Sequence, residues 1–358
     1  MLVLASIILC PLMVTLVVSN SEEDFKFINY QEEACTLERH YVPSDIELYW
    51  KDHIDMLTRG DQSRYWKTGC EKMKEHTSNV KDWLQYAHYR EKWPNQVDLG
   101  AAWSLENRFP KNTLSYYSFT EKCGKVVKAR AEVPIEPLMG FLRHPLHICF
   151  HQGTSMDEKY SGHKGYLLPM FHHELYPIEE RNNRVGRKYF FDLGASLYNL
   201  GLGGSSQKWF VETYFGHGID FDRIFAWEVV PYEDSKIYAR MPPEVISKMS
   251  FYNIPADPSP NGPANPFRIM QEVARPDDTV VIKIDIDNDP LELEFIKQIL
   301  SNRNISVLID ELYFEHHVEY SPMEHYGWNS GAKLMNLTQS YGIFSDLRKL
   351  GIRAHAWV

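Results

Sequence analysis

Residues 279–300 read TVVIKIDIDNDPLELEFIKQIL. The apolar run TVVIKIDI, broken only by Lys283 before it reaches Asp285, predicts a strand buried on both faces, as strands of parallel sheets are. LELEFIKQIL then repeats apolar residues at helical spacing. Working outward, the same alternation recurs. Upstream, KYFFDL is a short apolar run ending in Asp192, followed by a Gly-rich turn and the helical SSQKWFVETYFG. DRIFAWEV is a second strand ending in Glu228, a helix is expected around Glu233 to Arg240, and MSFYNI reads as a third strand. Downstream, ISVLIDELYF reads as a fifth strand, Ser340 to Leu350 as a helix and IRAHAWV as a sixth strand. Strand, helix, strand repeated in this way predicts an α/β fold over residues 188–358, a Rossmann-like, mostly parallel sheet with helices on both faces.

Ligands of such sheets bind beyond the carboxyl ends of the strands, and there Asp192, Glu228, Asn253 and Asp285 all fall. Asp192-Leu193-Gly194-Ala195-Ser196 opens a Gly-rich loop. Glycine permits close backbone approach to a ligand, and the following helix presents free N–H groups. Glu228 gives this weight, because an acidic side chain at the end of the second strand accepts both hydroxyl hydrogens of a ribose.

In order and spacing FFDLGAS, IFAWEVVP, FYNIPAD, VVIKIDIDNDPLELEFIKQIL and the terminal helix and strand resemble the FkbM-like S-adenosylmethionine-dependent methyltransferases. The resemblance covers about Tyr189 to Val358. It implies a class I methyltransferase-like fold, S-adenosylmethionine as cofactor and methylation of a hydroxyl oxygen. It further implies that Asp192, Gly194 and Ser196 lie against the methionine part, that Glu228 holds the ribose and that Asn253 lies near the adenine. Lys283, at the cofactor, and Asp285 and Asp287 form the rim that faces the acceptor, with Asp285 and Asp287 in the catalytic set. Two positions depart from the family. Leu197-Tyr198 stand where a glycine is usual, and the fourth strand ends Asp285-Ile286-Asp287-Asn288 instead of Asp-x-Glu-Gly.

Asp285-x-Asp287-x-Asp289 has a second reading. Alternate residues of an extended segment share a face, and convergent carboxylates bind hard divalent cations. An apolar strand ending in DxD looks like the metal site of a Golgi-type nucleotide-sugar glycosyltransferase. A catalytically inactive binding protein with the same fold is a third. His316 and His317 lie just beyond the fifth strand, where either can take a proton from an acceptor hydroxyl; His316 is assigned that role. His144, His147 and His151 fall in an irregular stretch where spacing is uninformative, and no metal site is assigned.

Residues 2–18, LVLASIILCPLMVTLVV, are uncharged and apolar. They fit a signal peptide cut before Asn20 or a membrane anchor, either placing the body in the secretory pathway; a buried helix is the third reading. Cys35, Cys70, Cys123 and Cys149 remain after that segment, allowing three pairings or free thiols. Asn304-Ile305-Ser306 and Asn336-Leu337-Thr338 are glycosylation sequons. Residues 20–187 are expected to form an aromatic-rich accessory region. In it Ser44 caps a helix, Val80, Trp83, Leu84 and Ala87 recur at helical spacing, and LHICF reads as a short strand. Its rings Phe150, Tyr160, Tyr166, Phe171 and Tyr176 either cover the cofactor and stack on a small-molecule or glycan acceptor, or pack the join between regions. The chain has 358 residues, and 48 acidic against 38 basic residues give a net charge of −10. That balance lacks the electrostatic footprint of a nucleic-acid binder.

Overall fold

Residues 279–284 form a strand with every side chain buried, the burial a continuous apolar run requires in a sheet covered on both faces. The computed structural model describes residues 35–57, 62–92, 109–123, 125–149, 159–175, 186–200, 206–318 and 335–357. Residues 2–18 lie outside them. Among the described residues no helix is long and apolar enough to cross a membrane.

Strands β1 (Cys35–Val42), β2 (Ser115–Cys123) and β3 (Val126–Ile135) make a three-stranded antiparallel sheet in that order. Strands β4 (Lys188–Leu193), β5 (Arg223–Trp227), β6 (Met249–Tyr252), β7 (Thr279–Ile284), β8 (Glu311–Phe314) and β9 (Arg353–Ala356) make a six-stranded sheet, ordered β6-β5-β4-β7-β8-β9. All its pairings are parallel. This is the doubly wound order, with the first strand central and a reversal of direction between β4 and β7, where ligands of such sheets bind. Helices Ser206–Gly216, Pro266–Val273, Asp289–Ser301 and Leu337–Lys349 lie in the connections. An aromatic cluster fills the core around β4 and β5: Phe190 stacks on Phe210 at 4.6 Å, Phe191 on Phe225 at 4.9 Å and Trp227 on Tyr252 at 4.8 Å between centroids.

The expected strands and helices of the C-terminal half stand at nearly the expected places, with one shift. The fifth strand begins only at Glu311, because Asn302 caps a short helix, Arg303–Ser306, through Asn304 N at 3.0 Å. The stretch LHICF is not a strand. His147–Cys149 is a turn of 3₁₀ helix after Pro145, closed by His147 N to His144 O and Cys149 N to Leu146 O. Ser44 caps the helix Asp45–His53, and Val80, Trp83 and Ala87 bury one face of the helix Thr77–Lys92.

Cys35–Val358 forms one compact unit, and its main hydrophobic cluster runs from Ile46, Trp50 and Trp83 through Phe190 and Val281 to Trp357. Tyr166 and Phe171 belong to the buried set, while Phe150 and Tyr176 fall outside the described residues. Polar groups complete the join. Fully buried Arg348 reaches Glu47 Oε2 at 3.3 Å, Glu136 Oε1 at 3.4 Å and the Tyr41 hydroxyl at 2.9 Å, and Tyr117 donates to Ile352 O at 2.5 Å. Cys70 and Cys149 are bonded, and Cys123, itself in a disulfide, lies opposite Cys35 in the β1–β2 register.

Candidate functional site

The parallel register brings one residue from each strand end into a row. Asn253, Glu228, Gly194, Asp285, Glu315 and Trp357 each follow directly on a strand. Backbone N–H groups extend the ladder through this row, from Glu228 to Tyr252 O (3.1 Å), Gly194 to Trp227 O, Asp285 to Leu193 O and Glu315 to Ile284 O (3.0 Å each), and Trp357 to Phe314 O (2.9 Å). The row is the carboxyl edge of the sheet, the face to which the sequence assigns the ligand.

At its centre the first and fourth loops touch. Gly194 holds φ +82°, and a Cβ there would lie 1.6 Å from Asp285 O. Ser196 and Asp287, one in each of these loops, also hold positive φ (49° and 58°), a conformation that costs non-glycine residues about 1–3 kcal/mol. Glu228 fastens the first loop from the side. Its Oε2 accepts from Ser196 N at 2.8 Å and its Oε1 from Val230 N at 2.7 Å, which leaves each oxygen a further lone pair. Asn253 braces the loop behind it, accepting from Tyr232 N at 2.7 Å and donating to Glu228 O and Val230 O at 2.8 and 2.6 Å. The amide group of Asn253 is thereby occupied with backbone.

Below the loops Asp192 and Lys283 face each other in register on β4 and β7. Lys283 Nζ lies 3.1 Å from Asp192 Oδ1, 3.1 Å from Asp285 Oδ2 and 2.8 Å from Gly194 O. Burial alone would discharge this ammonium, but the two carboxylates outweigh it and raise its pKa. Asp285 also accepts from Trp357 Nε1 at 3.1 Å. Burial opposes its charge, yet Lys283 and these hydrogen bonds hold its pKa below the usual value. Glu315, beside it, is pushed far up by burial and by Asp285, and keeps its proton. A charged lysine, a carboxylate and a protonated acid thus stand side by side at the switch point.

His316 does not face this group. It is buried, its Nδ1 lies 2.7 Å from Ser340 Oγ, and burial together with His317 and Arg143 pushes its pKa down to about 3. Such an imidazole is too weak a base to hold a proton near neutral pH. His317 points to the carboxylates instead, with Nδ1 2.9 Å from Asp289 Oδ1 and Nε2 3.2 Å from Glu315 Oε2. Two basic groups that the sequence did not single out arrive from the N-terminal region. Arg143 is buried and hydrogen-bonded to Trp357 O. Lys164 lies 4.9 Å over the Trp357 ring, its pKa lowered to about 8 by burial, against the pull of Asp285 and with Lys283 and Arg143 assisting. A cleft lined by Phe141, Arg143, His316, Ser340, Phe344 and Trp357 opens beside them.

Fold and edge together define a doubly wound parallel α/β protein whose polar groups converge at the switch point. Comparison of the chain with protein-family models, with curated proteins and with solved structures finds no match.

Proposed function

We propose that the protein is an S-adenosylmethionine-dependent methyltransferase acting on a hydroxyl of a sugar or other small acceptor in the secretory pathway. The observation that carries this reading is the join of the first two strand ends. A glycine loop that tolerates no Cβ is tied through Ser196 N to a carboxylate that retains lone pairs for a ribose, at the place where doubly wound sheets bind nucleosides. Asp192 and Lys283 lie wholly buried beneath that loop and hold it from below through Lys283 Nζ to Gly194 O. In this reading Asp285 and Asp287 face the acceptor. The sulfonium is already an activated leaving group, so positioning of the acceptor oxygen is the main task, and Lys164, with its pKa near 8, is the base best matched to accept the proton.

The nucleotide-sugar reading needs Asp285 and Asp287 to share a cation. Asp285 is held by Lys283 and Trp357, so the geometry favours methyl transfer over it. Binding of labelled S-adenosylmethionine to the purified chain tests the proposal. Saturable binding supports it; no binding, with a nucleotide sugar bound instead, refutes it. Binding without methyl transfer to any sugar or polyol acceptor points to an inactive member of the fold.

A further inference from the structure

We propose that Asp287, Glu315 and His317 form a site for a first-row divalent cation of the Mn²⁺ type, with Asp289 orienting the histidine. The site goes beyond methyl transfer and does not depend on it. One ligand atom from each of the three residues lies within 4.8 Å of the others. Donors of a single cation with bonds of about 2.1 Å lie about 3.0–3.4 Å apart in cis or tetrahedral positions and about 4.2 Å in trans, so closure needs a shift of up to roughly 1–2 Å. Asp287, exposed at the tip of its loop, can supply it. Glu315 and His317 face each other directly, with Oε2 3.2 Å from Nε2. One imidazole with two carboxylates suits Mn²⁺, Fe²⁺ or Zn²⁺ better than Mg²⁺ or Ca²⁺, which prefer oxygen alone.

Two observations independent of the acidic residues' proximity point to a cation. The first is the placing of the imidazole, which has a carboxylate oxygen at each nitrogen, 2.9 Å away at Nδ1 and 3.2 Å at Nε2. Glu315, which keeps its proton without a cation, can donate to Nε2, while Asp289 Oδ1 lies 2.9 Å from Nδ1 without accepting a hydrogen bond from it. A cation in place of the Glu315 proton, bound by Nε2, fixes the proton on Nδ1, where a small turn of the ring gives it to Asp289, the carboxylate–histidine–metal arrangement. The second is Glu292, completely buried at the start of the helix Asp289–Ser301. Its Oε1 accepts from Ile286 N at 2.7 Å, which pins it under the Asp285–Asp287 loop, while its Oε2 has no partner. Glu315, His317 and Asp285 are all close enough to act on it electrostatically. Lys283 does not compensate this excess of acid, being engaged by Asp192 and Asp285. Three protein ligands leave further coordination positions for oxygens of water or of a bound ligand.

The probe is MnCl₂ added to the purified, metal-stripped full chain, with free Mn²⁺ followed by its electron paramagnetic resonance signal. About one equivalent should bind with a dissociation constant well below ~1 mM. The substitutions D287N and H317Q should each weaken binding at least about tenfold, and D289N, which acts through His317, by roughly tenfold. Asp287 is exposed, so D287N keeps the test valid if H317Q fails to fold. Zn²⁺ should compete and Ca²⁺ should not. Absence of binding up to about 1 mM, or binding of equal strength in D287N, overturns the site. Since the readout is the metal alone, its failure leaves the cofactor question open, and failure to bind S-adenosylmethionine leaves this site standing.

Discussion

Gly194 sets how closely the first and fourth loops approach. An alanine there must adopt positive φ and drive its Cβ into Asp285 O, so Gly194→Ala should lower the unfolding free energy by more than about 1 kcal/mol in urea titration. Glu228→Ala removes the acceptor for Ser196 N and Val230 N as well as the proposed ribose contacts. It should weaken S-adenosylmethionine binding by about 2–4 kcal/mol in calorimetry while the far-ultraviolet spectrum stays native; unchanged affinity would remove Glu228 from the site. Asp192, Gly194, Glu228, Asn253 and Asp285 were legible in the sequence because each sits at or just past the end of an apolar run. Glu315 stands just as directly past the run ISVLIDELYF and was legible by the same rule, yet only His316 and His317 beyond it were singled out. Lys164 and Arg143 were not legible at all, since only tertiary packing carries them to Trp357, and Asn253's hydrogen bonds to backbone leave no trace in its residue type.

At the level of elements, helices and strands from Lys188 onward follow hydrophobic periodicity, because most strands are largely apolar on both faces and the helices on one, β9 with Arg353 and His355 on one face being the exception. The antiparallel sheet β1-β2-β3 does not announce itself. Along β2 burial alternates strictly, yet Ser115, Tyr117, Phe119, Glu121 and Cys123 on the inner face differ little in polarity from Tyr116, Ser118, Thr120 and Lys122 on the other. Two of the inner polar groups find partners remote in sequence, Ser115 Oγ donating to Glu47 Oε2 at 2.7 Å and Tyr117 to Ile352 O. A chain beginning at Arg187 would strip Arg348 of Glu47, Glu136 and Tyr41 and expose the apolar surface that Ile46, Trp50, Leu138 and Leu168 cover in the shared cluster. That fragment should be insoluble, as recovery in the soluble fraction and gel filtration will show. A monodisperse, folded fragment would mean that the sheet is self-sufficient.

For the molecule as a whole, the buried ionisable groups fall into two sets that act in opposite directions with pH. Burial lowers His144 and His316 to about 3 and His217 to about 4. Below the ordinary histidine pKa of about 6.5 the unfolded chain takes up protons that these rings refuse, so their contribution to stability is lost as pH falls. Burial raises Glu292 to about 8 and Asp310 to about 6, and raises Glu315 as well. Above about 4.5 the unfolded chain releases the protons that these acids keep, so their contribution is lost as pH rises until each folded pKa is passed. Across pH 6.5 to 8 the three histidines, half protonated in the unfolded chain at pH 6.5, oppose this by only about 0.4 kcal/mol each, and Asp310 has largely ionised. The alkaline limb therefore belongs to the acids of the carboxyl edge, at up to about 1.4 kcal/mol per pH unit for each, together with buried His355, whose pKa Glu136 and Glu311 raise against burial. Urea titrations in EDTA at pH 6.5, 7.25 and 8 should show stability falling with pH. Glu292→Gln should remove one such share, roughly 2 kcal/mol over that range, because its amide cannot ionise in either state. An alkaline limb of the same slope in the variant would mean that Glu292 is already ionised in the folded protein, and its unpartnered oxygen would then need a cation or water beside it at all times.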